Sequence, residues 1–160
     1  MSIETVTTHR LDLRREAPEA YRALAALSRA ATLEPTLTEL VKLRVSQING
    51  CAYCIDLHAR LAREHGEDER RLYALSAWRE SPFFTHRERV GLALAEALTL
   101  MAAGPVPDEL YAEAEEEMEP GEPAALLVVV AGINAWNRVM EASGALPPPL
   151  VGAGDGGGRS

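Results

Sequence analysis

The stretch Asn49-Gly50-Cys51-Ala52-Tyr53-Cys54-Ile55-Asp56-Leu57-His58 decides how this chain folds and what chemistry it can carry. Asn49-Gly50 is a helix stop, because glycine enters the left-handed backbone region at no steric cost. Upstream of it Leu37, Leu40, Val41, Val45 and Ile48 recur at helical spacing, so a helix is expected from about Thr36 to Ile48. Downstream a second helix is expected from Cys51 to His65, closed by Gly66. Both sulfurs then fall in the opening turn of that second helix. The orphan N–H groups and the positive dipole end found there favour a thiolate over a thiol. Their spacing puts Cys51 and Cys54 on one face, close enough to form a reversible disulfide. His58, four residues after Cys54, shares that face, and its imidazole can accept the thiol proton. Cys54 is therefore the expected attacking sulfur and Cys51 the resolving one.

Helical patterns extend outward from this motif. One helix is expected over Pro18–Ala31, with Tyr21, Leu24 and Leu27 on one face, and a shorter one over Asp68–Trp78, broken by Ser81-Pro82. Thr85-x-x-Glu88 has the form of a capping box and opens a helix to about Ala103, stopped by Gly104-Pro105. An acidic helix follows over Pro107–Met118 and a last helix over Pro123–Ala142. The segment Ala124–Ile133 is apolar all round, which places it centrally or between subunits. No region alternates with period two for long. The expected fold class is all-α: a bundle of about seven helices forming a single domain over residues 1–146. Residues 1–15 are expected as an irregular or partly strand-like arm, and residues 147–160 as a flexible Pro/Gly-rich tail that cannot bury apolar area.

Composition narrows the function. The chain has 160 residues, 47% hydrophobic and 25% charged, so it can bury a core without disulfide staples. The formal charge of −8 argues against nucleic-acid and membrane-surface partners, since such a field repels phosphate and anionic lipid. Lys42 is the single lysine among the basic residues, the rest being arginines, which reads as a compositional bias of the source genome. The polar N-terminus has no apolar signal segment, and the longest apolar run is about half of what crosses a bilayer. A cytoplasmic location is expected. A close cysteine pair in that compartment is catalytic or metal-binding more often than structural. Zinc takes four tetrahedral ligands, and with no second cysteine pair and three candidates on one helical face, no metal is assigned. Two buried, inert cysteines are the bland alternative. Glu39 has a bland reading too, because Thr36-Leu37-Thr38-Glu39 fits a capping box.

The wider pattern is more specific than a lone Cys-x-x-Cys. Glu39, eleven intervening residues, Cys51-x-x-Cys54, three more and His58 resemble the alkyl hydroperoxidase D (AhpD) family, within the carboxymuconolactone decarboxylase-like superfamily. The resemblance runs from about Thr36 to Met101, and the stretch Ile133-Asn134-Ala135-Trp136-Asn137-Arg138 also looks family-like. It implies a thiol-dependent peroxidase or disulfide oxidoreductase with Cys54 peroxidatic and Cys51 resolving. His58 and Glu39 become a proton relay. Hydroperoxide is the implied substrate, and an external dithiol such as lipoamide on a carrier protein the implied reductant. No bound cofactor is implied beyond the dithiol itself, and the implied assembly is a homo-oligomer, a trimer or hexamer. One position departs from the pattern: Tyr53 stands where the best-known members carry a histidine. A tyrosine is a poor base at neutral pH but can donate a hydrogen bond. Two other readings remain open, a redox sensor or oxidation-activated chaperone without turnover, and a carboxymuconolactone decarboxylase-like lyase.

Overall fold

In the computed structural model, which describes residues 7–31 and 33–150, nearly every expected helix starts and stops where its capping chemistry allows. The elements are β1 (Thr7–Thr8), α1 (Leu13–Glu16), α2 (Pro18–Ala30), α3 (Pro35–Asn49), α4 (Ala52–Glu64), α5 (Glu69–Ala74), α6 (His86–Thr99), α7 (Asp108–Glu117), α8 (Glu122–Ser143) and β2 (Ala145–Leu146). Short 3₁₀ turns at Leu75–Ala77 and Met101–Ala103 finish α5 and α6. The fold is all-α, with one two-residue ladder. Among the described residues there are eight helices, and the addition to the expected set is α1. It forms inside the arm because the Asp12 carboxylate accepts from the N–H groups of Arg14 and Arg15. The expected strand character of the arm is present in β1. Pro147–Leu150 form no regular element, while residues 1–6 and 151–160 lie outside the described residues.

The capping box expected at the start of α6 is present: Thr85 and Glu88 each bond the other's backbone N–H. The one expected at Glu39 is not. α3 opens earlier, at Pro35, with the Glu34 carboxylate accepting from the N–H groups of Thr36 at 2.9 Å and Leu37 at 2.8 Å. Proline fits the first helical position, where it has no N–H to lose, so the true cap sits two residues upstream of Thr36. Glu39 is thereby moved into the body of the helix.

α3 is the shared wall of the molecule. Leu37, Val41 and Val45 pack with Val90, Leu94, Leu126, Val130 and Ile133 from α6 and α8. Leu40 and Leu43 face the other way, into a second cluster with Ala62, Leu72, Leu75, Trp78, Phe84 and Leu92. Gly91 of α6 lets α3 come close, since a Cβ there would stand 3.2 Å from Leu37 Cδ1 and 3.3 Å from Met118 Cε. α8 is long and apolar enough to cross a bilayer by length and composition alone. Here it lies against α2, α3, α6 and α7, burying Leu126, Val129, Val130, Ile133 and Met140.

Two guanidinium groups and an indole N–H converge on one carboxylate between α3 and α6. Buried Glu96 accepts from Arg44 Nε at 2.7 Å, from Trp78 Nε1 at 2.9 Å and from Arg79. Burial pushes its pKa up, but the Trp78, Arg44 and Arg79 bonds prevail and hold it below 4.5. A carboxylate with a depressed folded pKa stabilises the fold above its unfolded pKa and loses that share as pH falls through the folded value. Replacing Glu96 by Leu strands the Arg44 guanidinium, and unfolding in urea at pH 7 is expected to show a loss of about 3 kcal/mol. The same variant should lose less stability than wild type between pH 5 and pH 3.

Candidate active site

The αL turn at Gly50, φ 72°, ends α3 and delivers Cys51 to the N-cap of α4. Cys51 Sγ accepts from the Cys54 N–H at 3.3 Å, the bond that a serine or aspartate oxygen makes at an ordinary N-cap. Cys51 and Cys54 are joined as a disulfide, with their Cα atoms 5.3 Å apart. Both sulfurs are enclosed, at 1% and 2% residue exposure. Met140 completes their cluster, and Tyr53, Trp136, Val139 and Ala145 pack around it. Tyr53, the departure from the family pattern, is thus half-buried beside the pair.

His58 is buried one turn along α4 from Cys54, on the same face. Its Nδ1 lies 2.7 Å from Glu39 Oε2, reaching across the α3–α4 interface. Glu39 is 6% exposed and sits in the middle of α3, so it binds this imidazole rather than capping its own helix. Burial raises the Glu39 pKa, but the hydrogen bond and charge of His58, followed by Lys42, reverse the sign and hold it below 4.5. The carboxylate is therefore ionised at neutral pH and must accept. The assignment that satisfies it has His58 Nδ1–H donating, which leaves Nε2 as the ring nitrogen that exchanges protons.

A side-chain network fixes this turn against α8. Asn49 Nδ2 donates to Asn134 Oδ1 at 3.0 Å and to Asn137 Oδ1 at 2.9 Å. Asn137 Nδ2 donates to Ser46 Oγ at 3.0 Å, and Asn134 Nδ2 to Thr99 Oγ1 at 3.0 Å. Asn137, 1% exposed, would be costly without those partners. Trp136 reaches away, donating to Ser28 Oγ at 2.7 Å and meeting Tyr21 edge-on. Of the residues named from sequence as the site, Cys51, Cys54 and Tyr53 lie together at the start of α4, and His58 meets Glu39 of α3 one turn further along. The asparagine network was not identified from sequence. Its signal was present, since two amides in an apolar helix need a reason.

β2 covers the sulfurs through Ala145 and is clamped by β1, with Thr7 opposite Leu146 and Thr8 opposite Ala145. Arg10 and Leu11 donate to the Ser143 carbonyl, and His9 lies where a Cβ on Gly144 would collide with its ring. A shallow depression lined by Thr8, Asp12, Leu13, Arg14, Tyr21, Met140 and Ser143 meets the cysteine cluster at Met140. Among the described residues, no group of three or more His, Cys, Asp or Glu side chains is placed to hold a metal ion.

Comparison with known proteins finds similar sequences and similar folds. Residues 15–97 match the Carboxymuconolactone decarboxylase family. The uncharacterized protein YdfG of Bacillus subtilis is 40% identical over 131 residues, 80% of this chain and 89% of that protein. A solved structure from Agrobacterium tumefaciens, described as a protein of unknown function and a candidate antioxidant defence protein AhpD, is 33% identical. It superposes with a TM-score of 0.84 over 90% of this chain and 100% of that one. An uncharacterized peroxidase-related protein from Ralstonia eutropha, described as an AhpD core, superposes with a TM-score of 0.74 at 19% identity. That comparison covers 84% of this chain and 74% of the other, and shows a shared fold.

Two outcomes test the Glu39–His58 bond. His58→Ala leaves Glu39 with Lys42 alone and is expected to cost about 1–3 kcal/mol in urea unfolding at pH 7. Because the Glu39 pKa is depressed, its share of stability is present above about pH 4.5 and lost below it. Glu39→Gln should remove that part of the acid-side slope.

Proposed function

Because the chain belongs to the carboxymuconolactone decarboxylase family and closes Cys51 and Cys54 into a disulfide one helical turn from a buried His–Glu pair, we propose that it is a thiol peroxidase of AhpD type, reducing hydroperoxides. The observation that carries the proposal is that disulfide at the N-terminus of α4, with His58 held by Glu39 on the same helical face.

The cycle starts from the dithiol. His58 Nε2 takes the Cys54 proton. The Cys54 thiolate attacks one peroxide oxygen, so an S–O bond forms and the O–O bond breaks. The departing alkoxide takes the proton back from His58 and leaves as alcohol, and Cys54 is left as a sulfenic acid. Glu39 keeps the imidazole oriented through both transfers and offsets its charge while it is protonated. Cys51 then attacks the Cys54 sulfur as a thiolate, stabilised at the N-cap by the Cys54 N–H and the helix dipole. The S–S bond forms and hydroxide departs, leaving as water once it takes up a proton. Two electrons from an external dithiol of lipoamide type return the disulfide to two thiols. Tyr53, packed at the pair, stands where the AhpD pattern has a histidine and can donate a hydrogen bond there rather than act as a second base.

The same reading puts the protein in the cytoplasm as a homo-oligomer, trimer or hexamer. Support for assembly comes from exposed apolar side chains at Leu27, Leu100, Met101 and Val128. The near-complete enclosure of both sulfurs favours one second reading, a redox sensor or oxidation-activated chaperone. There the same disulfide would shift its cover, and one oxidation would occur without repeated turnover.

Cys54→Ser is expected to abolish hydroperoxide reduction in a coupled dithiol assay. Cys51→Ser should lose turnover but still react once, giving a Cys54 sulfenic acid that dimedone traps. Dimedone trapping in the Cys54→Ser protein and none in Cys51→Ser would reverse the two roles. Stoichiometric oxidation without turnover by wild type under every dithiol tried would favour the sensor.

A further inference from the structure

Glu39 has two oxygens and the fold gives each a different partner. Oε2 faces His58 Nδ1, and Oε1 lies 3.5 Å from Lys42 Nζ, one helical turn along α3. Among the described residues, the titratable groups that meet Glu39 are those two, His58 from α4 and Lys42 from α3 itself. A Glu–Lys pair three residues apart is a common solvated decoration of a helix, worth a few tenths of a kcal/mol. This one differs in place. The Glu39 side chain is 7% exposed and that of Lys42 18%, so little water competes for the ammonium. It also differs in residue type: Lys42 is the only lysine of the chain, and every other basic side chain except the histidines is arginine.

We infer that Lys42 is a positioning residue of the thiol site, holding Glu39 Oε1 so that Oε2 stays turned to His58 and the carboxylate stays charged while protons pass through the imidazole. The inference rests on the thiol reading above and adds a third member to its relay. Lys42 touches neither sulfur nor substrate and acts through Glu39. A buried carboxylate with one partner can protonate when that partner's charge changes. A second cation on the other oxygen opposes this. Glu39 then works as a fixed charge, and the mobile proton remains between His58 and the cysteines. The carboxylate is a counter-charge rather than a proton store.

The test reads thiol reactivity and needs no peroxide, so it reports on Lys42 whether or not the peroxidase reading holds. The rate of iodoacetamide alkylation of reduced protein is followed against pH in wild type, Glu39→Gln, Lys42→Met and Lys42→Arg. The step on the acid side that Glu39→Gln removes is the one that belongs to Glu39. In Lys42→Met its midpoint is expected to move up by about one pH unit, because an opposite charge at this distance is lost. Lys42→Arg, which keeps a cation, should leave it near the wild-type value. Unfolding midpoints of the two Lys42 variants show that each is folded over the range used. Since there is one lysine, wild-type protein offers a second route: acetylation removes the side-chain charge and should shift the midpoint as Met does, whereas reductive methylation retains it and should not. A midpoint unmoved in both Lys42→Met and acetylated protein, or a wild-type profile with no step that depends on Glu39, would overturn the inference.

Discussion

The 2.7 Å bond between His58 Nδ1 and Glu39 Oε2 is the constraint around which the rest of the molecule is arranged. A carboxylate inside a helix interface is tolerable only with charged or donating partners, because its desolvation otherwise exceeds what packing returns. α3 could have presented another leucine at this position, as it does at Leu37 and Leu40 on its buried faces. It presents Glu39 instead, and the cost is offset by an imidazole from the next helix and an ammonium from its own. This fixes the rotation of α4 about its axis, since a turned helix would strand the carboxylate. The same rotation sets the direction of Cys54, one turn before His58. Stability and chemistry are therefore coupled at one hydrogen bond.

Around that bond the fold divides its tasks. The two clusters on either side of α3 supply rigidity, and they are built from apolar side chains that carry no chemistry. The amides of Asn49, Asn134 and Asn137 hold the Gly50 turn to α8, so the N-terminus of α4 starts from a fixed point. The side toward β2 is held by less. Its fastening is a two-residue ladder, two N–H groups on the Ser143 carbonyl, and His9 against Gly144. Segments with few apolar contacts and solvent-facing hydrogen bonds open at low free energy. Cys51 and Cys54 are at most 2% exposed, and this lightly fastened edge is the one that packs over them through Ala145.

Much of this was legible in the sequence, for reasons that can be stated. Helix-period leucines and the stops at Gly50, Gly66 and Gly104 are local signals, and local physics decides them. The cysteines and His58 were legible because all three ride on one helix, where spacing alone sets which side chains meet. Glu39 is different. Its partner lies nineteen residues away on another helix, and the local pattern suggested a cap. That reading fails because Glu34-Pro35 begins the helix earlier, with the carboxylate of Glu34 in the capping role. The spacing shared with the AhpD pattern pointed to the pairing that local rules missed. α1 went unseen because four residues carry too little periodicity to register. The amides of Asn134 and Asn137 in an apolar helix were a signal, but their partners were hidden because hydrogen bonds across 85 to 91 residues leave no trace in spacing.

The account stands on Cys51 and Cys54 acting as one two-electron centre that a hydroperoxide can oxidise. The most direct measurement is the intact mass of fully reduced protein before and after one equivalent of hydroperoxide, with free thiols counted in parallel. The predicted result is a loss of two hydrogens from each chain, with both thiols gone together and restored by a dithiol. A mass that does not change while both thiols remain titratable, or oxygen added at methionine with the thiols intact, would contradict it.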